Sequence, residues 1–114
     1  SLHRLRTNED FRRVFRESRK KRLGRIEKLE NYLFYETYRE GQPRLGLSVA
    51  KKVVRKASKR NQIKRYFREF FRQNKSLFRG DVVIRLSKLP ENVNYRTLVA
   101  PLEQRLKTRN TENP

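Results

Sequence analysis

Lys51, Lys52, Lys59, Arg60, Asn61, Lys64, Arg65, Arg68 and Arg72 stand close together in one stretch of this chain, and their side chains are the kinds that recognise phosphate. An Arg guanidinium is a planar fork that meets two phosphate oxygens at once, Lys supplies a point charge, and Asn can bond a phosphate or a base edge. On a helix over 58–74, Asn61, Lys64, Arg65, Arg68 and Arg72 fall on one side of the wheel, beside the stripe formed by Ile63, Phe67, Phe70 and Phe71. Such a helix buries its apolar residues and still shows a continuous cationic band. The ordinary alternative, a solvated face laced with ion pairs, fails on counting, because Glu69 alone on this helix has the charge to pair with its cations. The start of the helix also offers free backbone N–H groups to an anion.

The second group of interest is aromatic. Phe11 and Phe15 share a face of a short N-terminal helix, and Tyr32, Phe34, Tyr35 and Tyr38 lie on one strand. Strand alternation separates Tyr32, Phe34, Glu36 and Tyr38 from Leu33, Tyr35 and Thr37. One set must face the core. If the short helix leaves part of the other set open, the result is a groove able to stack unpaired bases without reading sequence. If it does not, every ring is core. Periodicity is compatible with both.

Other chemistries are excluded or unsupported. There is no Cys, and the one histidine is His3, so zinc fingers and knuckles, disulfide frameworks and Cys nucleophiles are ruled out and a His general base is disfavoured. Asp10 has no acidic cluster around it beyond the adjacent Glu9, and Asp81 stands isolated in sequence, whereas a two-metal nuclease would need a cluster of acids. Lys and Arg number 31 against 12 Asp and Glu, a formal charge of +19, which implies a polyanionic partner. No apolar run approaches the ~20 residues needed to cross a bilayer. No signal-peptide pattern is visible either, so no membrane association and a cytoplasmic location are expected.

The elements that must position these groups read as follows. Thr7 or Asn8 caps a helix over 7–16 in which Phe11, Val14 and Phe15 make one apolar face. Residues 17–31 are polar, with the basic run Arg19-Lys20-Lys21-Arg22, and the spacing of Ile26, Leu29 and Leu33 suggests a helical turn. Residues 32–39 and 44–50 read as strands joined through the Gly41-Gln42-Pro43 turn as a hairpin, with Leu45, Leu47 and Val49 inward. Val53 and Val54 suggest a further short strand. Ser58 is the expected cap of the 58–74 helix. The consecutive apolar residues of Asp81 to Leu86 predict a strand buried on both faces. A last helix spans about 94–108, with Tyr95, Leu98, Val99, Leu102 and Leu106 on one side, Pro101 expected to kink or interrupt it, and a frayed tail from Arg109. The sum is a single α+β domain over 1–114, with helices on a small sheet.

The run Arg44-Leu45-Gly46-Leu47-Ser48-Val49-Ala50-Lys51-Lys52-Val53, followed by Arg60-Asn61-Gln62-Ile63-Lys64-Arg65-Tyr66-Phe67-Arg68, resembles the protein subunit of bacterial ribonuclease P. In that family a strand ending in Ser-x-x-Lys-Lys precedes an Arg-Asn-Arg-x-x-Lys-Arg helix; Gln62 stands here at the third motif position. Leu5 to Phe15 resembles the family's opening helix, and the likeness runs from about Leu5 to Leu106.

The resemblance implies a two-layer α/β sandwich, a small central sheet with about three helices and a left-handed βαβ crossover. It implies a role in removing the 5′ leader of precursor tRNA, an endoribonuclease reaction in which the RNA subunit carries catalysis with Mg2+ that it mainly binds itself. The implied partners are ribonuclease P RNA and precursor tRNA. Arg60, Asn61, Lys64, Arg65 and Arg68 would face the catalytic RNA. Phe11, Phe15, Tyr35 and Ser48 would line a cleft for the single-stranded leader, with Lys51 and Lys52 nearby and Tyr35 on the open set of its strand. The rival classes are a small ribosomal protein or general RNA chaperone, and a protein-only nuclease.

Overall fold

The computed structural model describes residues 4–20 and 22–112; His3 and Lys21, named above, lie outside them. The order is α1 (Asn8–Glu17), β1 (Gly24–Lys28), β2 (Tyr32–Tyr38), β3 (Arg44–Ser48), α2 (Ala57–Gln73), a 3-10 turn at Lys75–Leu77, β4 (Gly80–Leu86) and α3 (Tyr95–Glu112). The strands form one mixed sheet in the order β1-β2-β4-β3. This is the α+β architecture expected, with three helices on a small sheet.

Thr7 caps α1 as its side chain accepts from the Asp10 N–H at 3.1 Å, and Glu9 and Asp10 sit at the positive end of the helix dipole. Val14 is fully buried beneath the helix. β4 is the centre of the sheet. It pairs antiparallel with β2 and parallel with β3, and it is buried along almost its whole length because helices cover both faces. Strand alternation assigns the faces. Tyr32, Phe34, Val82 and Ile84 meet α2 and α3 in the larger core, whereas Tyr35 and Val83 join Val14, Phe11 and Phe15 under α1.

Five expectations are corrected. Residues 24–28 form an edge strand, antiparallel to β2, rather than a helical turn. β2 and β3 are not a hairpin: β3 lies on the far side of β4, and α2 is the crossover joining these parallel neighbours. Parallel strands need such a crossover, so a tight turn at Gly41, with φ of 95°, only reverses the chain's direction. Val53 and Val54 occupy a turn and loop, where both N–H groups donate to the Ala50 carbonyl and Val54 drops into the core. The N-cap of α2 is Lys56, without a side-chain cap bond, and Ser58 is already inside the helix. Pro101 does not end α3, which runs through it to Glu112. Burial of Leu98, Val99, Leu102 and Leu106 offsets the hydrogen bond that Pro removes.

Ile63, Phe67, Phe70 and Phe71 are buried on α2, each contributing about 2 kcal/mol by burial. Phe78 packs among Phe71, Phe70 and Phe34 with ring centroids at 4.8, 6.1 and 6.2 Å. The Tyr32 hydroxyl donates to the Leu98 carbonyl at 2.8 Å, and burial pushes its pKa up.

The outer edge of β3, away from β4, gains a short partner. Arg4 bridges Leu45 in parallel, and the Leu5 N–H donates to the Leu45 carbonyl at 3.0 Å. The N-terminal segment is thereby fixed alongside β3, facing α2 across the sheet edge.

Candidate nucleic-acid interface

With its apolar stripe buried, α2 turns Asn61, Arg65 and Arg72 to solvent, and Lys64 and Arg68 stand half-buried at the margin. Glu69 accepts from Arg72 at 2.5 Å and from Gln73 at 2.8 Å, so Arg72 is the cation on this band that carries a neutralising partner. Lys64, Arg65 and Arg68 have no carboxylate partner among the described residues. Burial, and then the charge of Arg4 opposite, push the Arg68 pKa down. Two guanidinium groups facing each other without an acid are an unfavourable arrangement that an anion would relieve.

Arg60 behaves differently from the rest of the motif. Its Nη1 donates to the Val54 and Arg55 carbonyls, both at 2.8 Å, and so ties the loop before α2 to the helix. Lys51 and Lys52 are exposed in the turn at 51–53, and Lys59 is half-buried in the first turn of α2. Gln62 points away from the band, donating to the Tyr66 hydroxyl at 3.0 Å, and Tyr66 meets Tyr95 edge-on at 6.0 Å. The motif position that departs from the family pattern therefore serves the α2–α3 packing.

Beside this face runs the aromatic groove. Asn8, Phe11, Arg12, Phe15, Leu47 and Ser48 line a cavity of about 450 Å3 between α1 and β3. Phe11, Phe15 and Ser48 are thus brought together. Tyr35 is on the α1 face, as expected, but it is covered, at 6% exposure. It supports Phe15 edge-on at 4.7 Å from beneath instead of lining an opening.

Asp81, isolated in sequence, is the electrostatic anchor of this region. Its carboxylate is fully buried and accepts from Arg44 Nε at 2.9 Å and Nη2 at 2.7 Å, from Arg13 at 2.7 Å and from Arg39 at 3.2 Å. Burial alone would raise the Asp81 pKa, but the hydrogen bonds from Arg44 and Arg13 and the charges of Arg44 and Arg39 outweigh it and hold the group below the usual carboxylate range. Arg13 belongs to α1, Arg39 follows β2 and Arg44 opens β3, so a single carboxylate pins α1 over the sheet and sets where Phe11 and Phe15 lie.

A second cavity, of about 470 Å3, goes beyond the residues that spacing singles out. Its cationic lining comes from Arg4, Arg6, Lys64, Arg68, Arg72 and Lys75, and its apolar floor includes Leu5, Phe11, Leu45, Leu47 and Phe71. Lys75 follows Arg68 by seven residues and Arg72 by three, a spacing readable in the sequence, although α2 ends at Gln73 and Lys75 opens the 3-10 turn that follows it. The closing of the pocket by Arg4 is not, since it depends on the N-terminal segment bridging β3. Among the described residues no group of three or more His, Cys, Asp or Glu is placed to hold a metal ion, and no helix is long and apolar enough to cross a membrane.

A family model described as Ribonuclease P matches residues 1–110. The Ribonuclease P protein component of Nitrosomonas eutropha is 37% identical over 89 residues, covering 77% of this chain and 71% of that protein. The component from Pectobacterium atrosepticum is 46% identical over 65 residues, 56% of this chain and 55% of that protein, so the match spans about half of that relative's length. Among solved structures, the RNase P protein of Staphylococcus aureus superposes with a TM-score of 0.77 at 27% identity over 96% of each chain. That of Thermotoga maritima gives 0.74 at 32% identity, over 92% of this chain and 96% of the other.

Proposed function

The chain belongs to the ribonuclease P protein family, and we propose that it is the RNA-binding subunit of that endoribonuclease, assisting a catalytic RNA in removing the 5′ leader of precursor tRNA. The observation that carries this reading is the adjacency of two surfaces on one small fold: the α2 band, whose Lys64, Arg65 and Arg68 lack acidic partners among the described residues, and the aromatic groove between α1 and β3. The band, with Asn61, Lys51, Lys52, Lys59 and Arg72, lies against phosphates of the catalytic RNA. Arg60 holds the loop between the lysine turn and the helix while contributing its charge. The groove receives the single-stranded leader on Phe11 and Phe15, near Ser48, with Tyr35 holding Phe15 in place.

The physical logic is electrostatic. Two RNAs brought side by side repel, and a protein of charge +19 placed against them lowers that repulsion and the Mg2+ concentration needed for assembly. The bond chemistry, and most of the Mg2+, belong to the RNA. Leader binding adds affinity at a site remote from the scissile bond, which separates precursor from mature tRNA, because the product lacks the leader. A cytoplasmic location goes with this role.

The test is cleavage of a precursor tRNA by a bacterial ribonuclease P RNA at low Mg2+, with and without the protein. Correct 5′ cleavage restored by the protein, and no cleavage by the protein alone, is the expected result. No effect on a cognate or related RNA would leave a general RNA clamp or ribosomal protein as the better reading, and cleavage by the protein alone would point to a protein-only nuclease.

A further inference from the structure

The cavity closed by Arg4 is separate from the aromatic groove in its charged lining but not in its floor. Phe11 and Leu47 line both. The two hollows lie on either side of the Phe11 ring along the outer edge of β3, with Ser48 in one and Leu45 and Gly46 in the other. Their character differs. The groove under α1 has Arg12 as its cation, with aromatic and small polar neighbours. The second hollow sets Arg4 and Lys75 around Lys64 and Arg68, above Leu5, Leu45 and Phe71. None of those four cations has a carboxylate partner among the described residues. An apolar floor under a cationic rim suits a nucleotide, whose base or ribose covers the floor while its phosphate meets the rim. The volume, about 470 Å3, admits a nucleotide of a single strand and not a duplex.

We propose that the single-stranded RNA track has two stations divided by Phe11, and that the hollow beside α2 is the second, where Arg4 and Lys75 hold one nucleotide and its phosphate from the same leader strand while Lys64 and Arg68, on the same rim, also face the catalytic RNA. This deepens the function proposed above and rests on it. It also gives the N-terminal segment a part in RNA binding, since Arg4 reaches the rim because Leu5 is hydrogen-bonded to Leu45. A strand that fills the groove and passes over Phe11 meets cations on both sides, whereas a shorter leader fills one station only.

The experiment measures the affinity of the reconstituted holoenzyme for precursor tRNAs whose leaders are lengthened one nucleotide at a time. The wild type is expected to gain affinity in two steps, each of roughly tenfold. The double variant Arg4→Ala/Lys75→Ala should lose one step, and Phe15→Ala should lose the other, whichever station lies nearer the tRNA body. Melting temperatures and catalytic-RNA affinities, measured in parallel, show that each variant is folded and assembled. A single step in the wild type, or two steps surviving in the Arg4→Ala/Lys75→Ala variant, overturns the second station. If Phe15→Ala still removes a step in that case, the leader reading itself survives; if neither variant changes leader dependence, both fall.

Discussion

The ring of Phe11 fills the space that a side chain at position 46 would need: a Cβ on Gly46 would stand 2.7 Å from Phe11 Cζ and 3.2 Å from Leu5 Cβ. The glycine in β3 is therefore what lets an aromatic ring from α1 lie down against the sheet edge and divide the two hollows.

Gly46→Ala tests that relationship directly. The obstructing atoms of Phe11 are at the free end of its side chain, so the ring can swing aside, and Ala suits a strand better than Gly. The expected stability change is within about 1 kcal/mol. The groove, however, loses its partition, and precursor affinity should fall roughly tenfold while affinity for the catalytic RNA is unchanged. A fully active variant with unchanged precursor affinity would show that the position of Phe11 is immaterial.

Asp81→Asn should be costly, because it leaves Arg13, Arg39 and Arg44 gathered around a neutral group. Breaking a buried pair of this kind costs about 3 kcal/mol, measured by denaturant unfolding at neutral pH. The pH dependence has a definite sign. The folded-state pKa of Asp81 is depressed, so its stabilisation is fully present above the unfolded value of ~3.9 and is lost as pH falls through the lower folded value. The difference in stability between wild type and Asp81→Asn should therefore be flat above about pH 5 and shrink in acid. A constant difference down to about pH 2 would mean that packing, not charge, is what the substitution removes.

How far these features can be read from the residues depends on how local they are. The two faces of α2 follow from helical spacing alone, and the α1 cap and apolar face from Thr7, Phe11, Val14 and Phe15. β1 is obscured because Arg25, Glu27 and Lys28 make it a charged edge strand, with Ile26 left 40% exposed instead of pointing into a core. The partner of β3 is misread because a turn between two strands suggests a hairpin, while the pairing with β4 is decided by a crossover many residues long. The Asp81 anchor joins residues 37 to 68 positions apart, so no window of the sequence contains it. Alternation places Tyr35 on the correct face, but its covering by Phe15 depends on how close α1 is drawn by that anchor.

Phe15→Ala removes the ring that meets Tyr35 edge-on at 4.7 Å. Phe15 is only half-buried, so the cost to stability should be about 1–2 kcal/mol, below that of a fully buried ring. Tyr35 then becomes accessible without lying in the place of the lost ring. Binding assays should show precursor affinity reduced roughly tenfold and mature tRNA affinity unchanged. Equal losses for both RNAs would mean that the groove does not contact the leader.

Arg65→Ala isolates the outer α2 face from both hollows. Arg65 is exposed, lines neither cavity and has no carboxylate partner among the described residues, so its removal should change stability by less than about 0.5 kcal/mol. If it meets a phosphate of the catalytic RNA, affinity should fall and the slope of log K against log salt should become shallower by about 1, because one fewer counterion is released. Lys88→Ala, at an exposed site beyond the end of β4, is the control for net charge alone. Equal small shifts in the two variants would reduce Arg65 to a contributor to the overall field. A slope change confined to Arg65→Ala would place a phosphate at that guanidinium, and with it the orientation of α2 against the RNA.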